Sequence, residues 1–121
     1  MTHLPTAKTV LVIEDDDLVS EVIGSVLEQS GYRVIQVGSG EAALDVIIDG
    51  PAVDLLVTDV NLPGGLNGWG IANWFSVLHP GRPVLYASGS GREPARQVEN
   101  SRFLPKPFRA AQLAEAVAGL A

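Results

Sequence analysis

Five short apolar runs alternate along this chain with longer segments of helical period, and that alternation restricts the fold more than any other feature. The runs "TVLVI" (9–13), "RVIQV" (33–37), "DLLVT" (54–58), "PVLYA" (83–87) and "RFLP" (102–105) are too short for helices and read as strands. Three of them are nearly continuously apolar, as expected of parallel strands covered on both faces. After the first run, Leu18, Val22 and Val26 with Val19, Ile23 and Leu27 recur at i, i+4 and i+8, which predicts a helix ending near Gly31. Ala43, Leu44, Ile47 and Ile48 predict a second helix, stopped at Gly50 and Pro51. Ile71, Trp74, Phe75 and Leu78 predict a third, stopped before Pro80 and Gly81; Ala110, Leu113, Ala114, Val117 and Leu120 predict the last. Residues 92–99 are polar and contain Pro94, so a fourth helix is expected there only as a short, weakly held element.

Five βα units in 121 residues imply a doubly wound α/β domain with right-handed crossovers, for which a five-stranded parallel sheet in order 2-1-3-4-5 is the common solution. The 46% hydrophobic content suffices for one core, so the expectation is a tail over residues 1–7 and a single domain over 8–121 without an output domain. Eight Lys plus Arg against 14 Asp plus Glu leave a net charge of -6, which opposes binding to nucleic acid or an anionic membrane. The chain has no cysteine, hence no disulfide, thiolate zinc site or thiol nucleophile, which fits the reducing cytoplasm. "MTHLPTAK" lacks the apolar run of a signal peptide, and no segment approaches the roughly 20 apolar residues of a membrane span.

In such a sheet the residues just past the strands' carboxyl ends gather at one edge, around the crevice between strands 1 and 3. Glu14, Asp15 and Asp16 follow strand 1, Asp59 follows strand 3, Ser88 strand 4 and Lys106 strand 5. Carboxylates crowded together from two strands repel unless a hard dication such as Mg2+ lies between them. A metal beside a carboxylate, a hydroxyl and an ammonium is the equipment for handling a phosphoryl group, with Asp59 as nucleophile.

Taken in order, "VLVIEDDDLV", "LLVTDVNLPGGLNGWGIA", "PVLYASGS" and "FLPKPF" resemble the receiver domain of bacterial two-component response regulators, the CheY-like family of flavodoxin-like fold. The resemblance runs from about Lys8 to Leu120. It implies that Asp59 is the phosphoacceptor, charged from a phosphohistidine on a histidine kinase or histidine phosphotransfer protein. It further implies that Glu14, Asp15, Asp59 and the backbone carbonyl of Asn61 hold Mg2+, with Asp15 the direct ligand of the acidic pair and Glu14 reaching the ion through water. Ser88 and Lys106 would bind the phosphoryl group, Ser88 and Phe103 would form the switch, and Pro107 would follow the lysine through a cis peptide. Such a domain is a signalling phosphoacceptor that catalyses only its own phosphorylation and dephosphorylation, and its downstream protein target docks on the face of helix 4, strand 5 and helix 5. Two departures stand out: "PGGLNG" lengthens the loop after Asp59, and the interval from Ser88 to Lys106 is short, which points to a truncated fourth helix.

Plainer roles compete for several residues. Asp16 and Asp17 suit a helix start, where negative charge meets the N-terminal dipole. "GSG" at 38–40 and at 89–91 forms no phosphate-binding pattern and reads as turns. Lys106 lies between two prolines that fix its direction. Trp69 and Trp74 are expected in helix packing or partner contacts, and His3 and His79 as tail and helix-end residues. Two alternative functions share the same residues: a phosphorylation-independent protein-binding module, and a Mg2+-dependent phosphatase working through an aspartyl phosphate. The second wants an Asp where this chain has Asn61.

Overall fold

The computed structural model describes residues 7–90 and 92–121. The elements run β1 (Thr9–Ile13), α1 (Asp17–Gln29), β2 (Arg33–Val37), α2 (Gly40–Asp49), β3 (Leu55–Thr58), α3 (Gly68–Leu78), β4 (Val84–Ser88), a 3-10 turn (Pro94–Arg96), β5 (Ser101–Pro105) and α4 (Ala110–Leu120). The five strands form one parallel sheet in the order β2-β1-β3-β4-β5. The predicted tail, residues 1–7, lies outside the described residues except for Ala7.

Alternation along the strands sorts the core into two layers. Val10, Val12, Leu55, Val57, Leu85 and Ala87 face α1 and α4, packing on Ile23, Leu27, Leu113 and Val117. Leu11, Ile13, Leu56, Val84 and Tyr86 face α2 and α3, packing on Ala43, Ile47, Ile71 and Phe75. Both faces of β1, β3 and β4 are therefore dry, which is why those runs contain so few polar residues. Among the described residues, no helix is long and apolar enough to cross a membrane.

The short, weakly held fourth helix expected there is a single 3-10 turn, in keeping with the short interval from Ser88 to Lys106. Pro94 starts that turn and Gln97 returns to extended backbone, so no amphipathic stretch remains to propagate a helix. Space beneath the turn is filled from α3 and β4 instead. Trp69 and Tyr86 stack with ring centroids 4.8 Å apart, the Arg96 guanidinium lies 5.3 Å above the Trp69 ring, and the Tyr86 hydroxyl accepts from the Val98 N–H at 3.2 Å. Trp69 is thus a packing residue, whereas Trp74 is 48% exposed. His79 sits at the C-terminus of α3 against Phe75, and His3 falls outside the described residues. The "GSG" at 38–40 is a helix start, with the Ser39 hydroxyl accepting from Ala42 N–H at 3.1 Å.

Candidate functional site

The register of the sheet brings the site together. Ile13 pairs with Thr58 and Thr58 with Tyr86, so β1, β3 and β4 reach the same edge within a residue or two of one another. The ladder continues beyond the strands: Glu14 N–H donates to Val37 O, Asp59 N–H to Ile13 O and Lys106 N–H to Ser88 O, at 2.9–3.1 Å. Backbone hydrogen bonds therefore fix the roots of Glu14, Asp59 and Lys106.

One carboxylate oxygen from each of Glu14, Asp15 and Asp59 lies within 4.8 Å of the other two. Glu14 is almost wholly buried and Asp15 exposed, so the cluster opens to solvent on one side. Asp16 belongs to the helix instead: its carboxylate accepts from Leu18 N–H and Val19 N–H at 3.0 and 3.2 Å as the N-cap of α1, and Asp17 opens the first turn. All three clustered groups are hard oxygen donors, the set that suits a dication such as Mg2+.

Lys106 approaches the cluster from β5. Its Nζ donates to Asp59 Oδ2 at 3.0 Å and to Glu14 Oε1. Burial alone would lower the lysine pKa, but the hydrogen bonds that the ammonium donates to both carboxylates, and their charges, hold it above its ordinary value. Burial pushes Glu14 above the usual carboxylate value, and the Asp59 charge adds to this, against the pull of Lys106 and of the Asp16 N–H. The Lys106–Pro107 peptide is cis, as the resemblance implied.

Ser88 ends β4 and is 1% exposed, yet its hydroxyl has no hydrogen-bond partner among the described residues. Its O–H is thus available to donate to an acceptor at the site. Asn61 donates its backbone N–H to Asp59 Oδ1 at 3.2 Å and its side-chain amide to Ser90 Oγ at 3.0 Å, joining the loops after β3 and β4 above the site. Ser90 carried no separate signal in the sequence; only the fold places "SGS" opposite "DVN". Phe103, on β5, is half-buried, with the Arg92 guanidinium 5.9 Å from its ring. Gly68 carries a further constraint that the sequence did not announce: a Cβ there would overlap the Asp59 carbonyl, so α3 starts directly against the backbone of the central carboxylate.

Comparison with known proteins agrees with this geometry. The profile of the response regulator receiver domain matches residues 10–118. Over 121 aligned residues the chain is 34% identical to the sensor kinase CckA of Brucella abortus, covering 96% of this chain and 13% of that protein. It is 32% identical to the transcriptional regulatory protein CpxR of Escherichia coli, covering 86% of this chain and 45% of that one. The chain thus spans less than half the length of these two curated relatives. The crystal structure of a response regulator receiver protein from Sinorhizobium medicae superimposes with a TM-score of 0.91 at 32% identity, covering 95% of this chain and 94% of that one. Fold, edge cluster and family profile converge: the chain belongs to the response regulator receiver domain family of two-component signalling.

Proposed function

We propose that Asp59 accepts a phosphoryl group from a phosphohistidine of a histidine kinase or histidine phosphotransfer protein, in a Mg2+-dependent reaction that switches a protein-interaction surface. The observation that carries this reading is the position of the Asp59 carboxylate, with Glu14 and Asp15 on one side, the Lys106 ammonium on the other and the unpartnered Ser88 hydroxyl on the adjoining strand.

Glu14, Asp15, Asp59 and the carbonyl of Asn61 would hold the metal, which when bound neutralises charge on the incoming phosphoryl oxygens. The chain's own groups supply the rest. An Asp59 oxygen attacks phosphorus, the new O–P bond forms as the P–N bond breaks, and the electron pair of that bond returns to the donor imidazole. Lys106 is kept charged by its two carboxylate neighbours, so it moves from Asp59 to a phosphoryl oxygen without a change in protonation. Ser88 donates its free hydroxyl to another. The phosphoryl group carries up to about two negative charges where the Asp59 carboxylate carried one, and it presents three acceptor oxygens that pull Ser88 and Lys106 toward it.

Two surfaces adjoin the site. Leu18, Val19 and Val22 of α1 line an apolar groove with Phe108, and its floor runs to Lys106 and Pro107; Leu18 is 75% and Val22 55% exposed. A partner bringing its phosphohistidine to Asp59 would seat beside this groove. The downstream target would read the face of the 3-10 turn, β5 and α4, where Ser88 connects to the β4–β5 segment and Phe103 is half-buried. The test is tryptophan fluorescence of the domain on adding Mg2+ and then beryllofluoride. The reading expects a Mg2+-dependent response that is absent in Asp59→Asn; an equal response in that variant refutes it.

A further inference from the structure

The lengthened loop after Asp59 does not hang free. Its tip, residues 62–66, rests on the first turn of α2. The Glu41 carboxylate accepts from the Gly65 N–H at 2.9 Å, and among the described residues this is the one hydrogen bond from the tip to another element. The fit is close on both sides of that bond. Gly64 has φ +85, and a Cβ there would stand 2.9 Å from Glu41 Oε2; a Cβ on Gly40 would overlap the Leu66 carbonyl. Glycines at 40 and 64 are therefore what lets the loop reach the helix.

This contact bears on the site because the loop begins with Asn61. A ligand offered by a backbone carbonyl cannot be adjusted by a rotamer; its position is that of the main chain. At the near end Asn61 is tied to Asp59 and Ser90, and at the far end Asn67 caps α3, its side chain accepting from Gly70 N–H at 3.0 Å. Between those anchors Leu62 and Leu66 pack against the core, and the polar tip at Gly65 is held from α2 through Glu41. We propose that Glu41 is a positioning residue for the acidic site: by holding the loop tip through its acceptor oxygen it fixes the Asn61 backbone and so sets the affinity for a divalent cation. This rests on the reading of Glu14, Asp15, Asp59 and Asn61 as the metal site.

Two measurements test it, titration calorimetry with Mg2+ alone and amide hydrogen exchange at Gly65 in metal-free protein. In Glu41→Ala the Gly65 amide loses protection and Mg2+ binds about fivefold to tenfold more weakly. Glu41→Gln keeps an acceptor oxygen and loses the charge, so it restores both readouts to near the wild-type level. Asp45→Ala, which removes the same charge one turn along α2 away from the loop, leaves both unchanged. Glu41→Ala with unaltered Mg2+ affinity overturns the inference, as does Glu41→Gln binding as weakly as Glu41→Ala, since charge and not the hydrogen bond would then be responsible. If wild-type protein binds no Mg2+, the underlying reading of the site falls as well, so the two failures are distinguishable.

Discussion

Lys106 is the only cation bonded to the acidic cluster among the described residues, and its removal should show how much charge the folded site contains. At 3.0 Å from Asp59 Oδ2, and with an effective dielectric of about 20, the Coulomb attraction alone is about 5.5 kcal/mol. Most of this is offset by desolvation of the ammonium, which is why the net value of the pair is modest while its disruption is costly. The Glu14 side chain is only 2% exposed and would be left without a cation, whereas Asp59 at 12% and Asp15 retain water on the open side. Truncation should therefore fall near the lower end for a broken buried pair, so Lys106→Met is expected to lose about 3 kcal/mol in metal-free solution. Mg2+ at about 100 times its Kd stabilises the wild type by about 2.7 kcal/mol through linkage, and stabilises the variant more because the ammonium no longer competes for the same oxygens. The gap should also narrow in acid. Burial already holds Glu14 above the ordinary carboxylate value, and a carboxylate raised in the folded state costs stability as pH rises through that value, more so once the lysine is gone. The assay is urea unfolding with chelator and with Mg2+, followed by tryptophan fluorescence. Equal stability of Lys106→Met and wild type in chelator at neutral pH would refute the argument.

Two further substitutions separate packing and capping from the site. Tyr86→Phe removes the acceptor of the Val98 N–H and should cost about 1 kcal/mol at neutral pH. Burial raises the Tyr86 pKa above 10.0, against the Val98 N–H, so the wild type should lose stability as pH rises from that value through the higher one of the folded protein, and the variant should lack this component; thermal unfolding against pH measures both. Asp16→Ala removes the α1 cap and should cost about 1 kcal/mol in urea unfolding. Its Mg2+ affinity in calorimetry should stay close to that of wild type, because Asp16 is a capping group and not a member of the cluster.

Much of this architecture was legible because the sheet is covered on both faces. Continuous apolar runs are the signature of that burial, and β1 and β2 fall on the residues read from the sequence. The small shifts at the starts of β3 and β4 fall at Asp54 and Pro83. Asp54 meets Thr9 with one backbone and one side-chain bond, donating its N–H to Thr9 O and accepting from Thr9 N–H through its carboxylate, and Pro83 offers the ladder only its carbonyl, accepting from Leu56 N–H. The edge cluster was equally readable, since parallel strands of similar length must deliver Glu14, Asp15 and Asp59 to one rim. What the sequence could not show depends on contacts between distant segments. Nothing local marks Trp69 as the partner of Tyr86, or Glu41 as the support of Gly65, because each pairing exists only once the crossovers are made. The region after Ser88 was recognisably too polar for a full helix, but that an aromatic pair and an arginine would fill the space is a property of the tertiary structure.

The most direct test of the central claim is the intact mass of the purified domain after incubation with acetyl phosphate, with and without Mg2+. The account predicts a gain of one phosphoryl group that requires Mg2+ and is absent in Asp59→Asn. A gain of the same mass in Asp59→Asn, or no gain in folded wild-type protein shown to bind Mg2+, would contradict it.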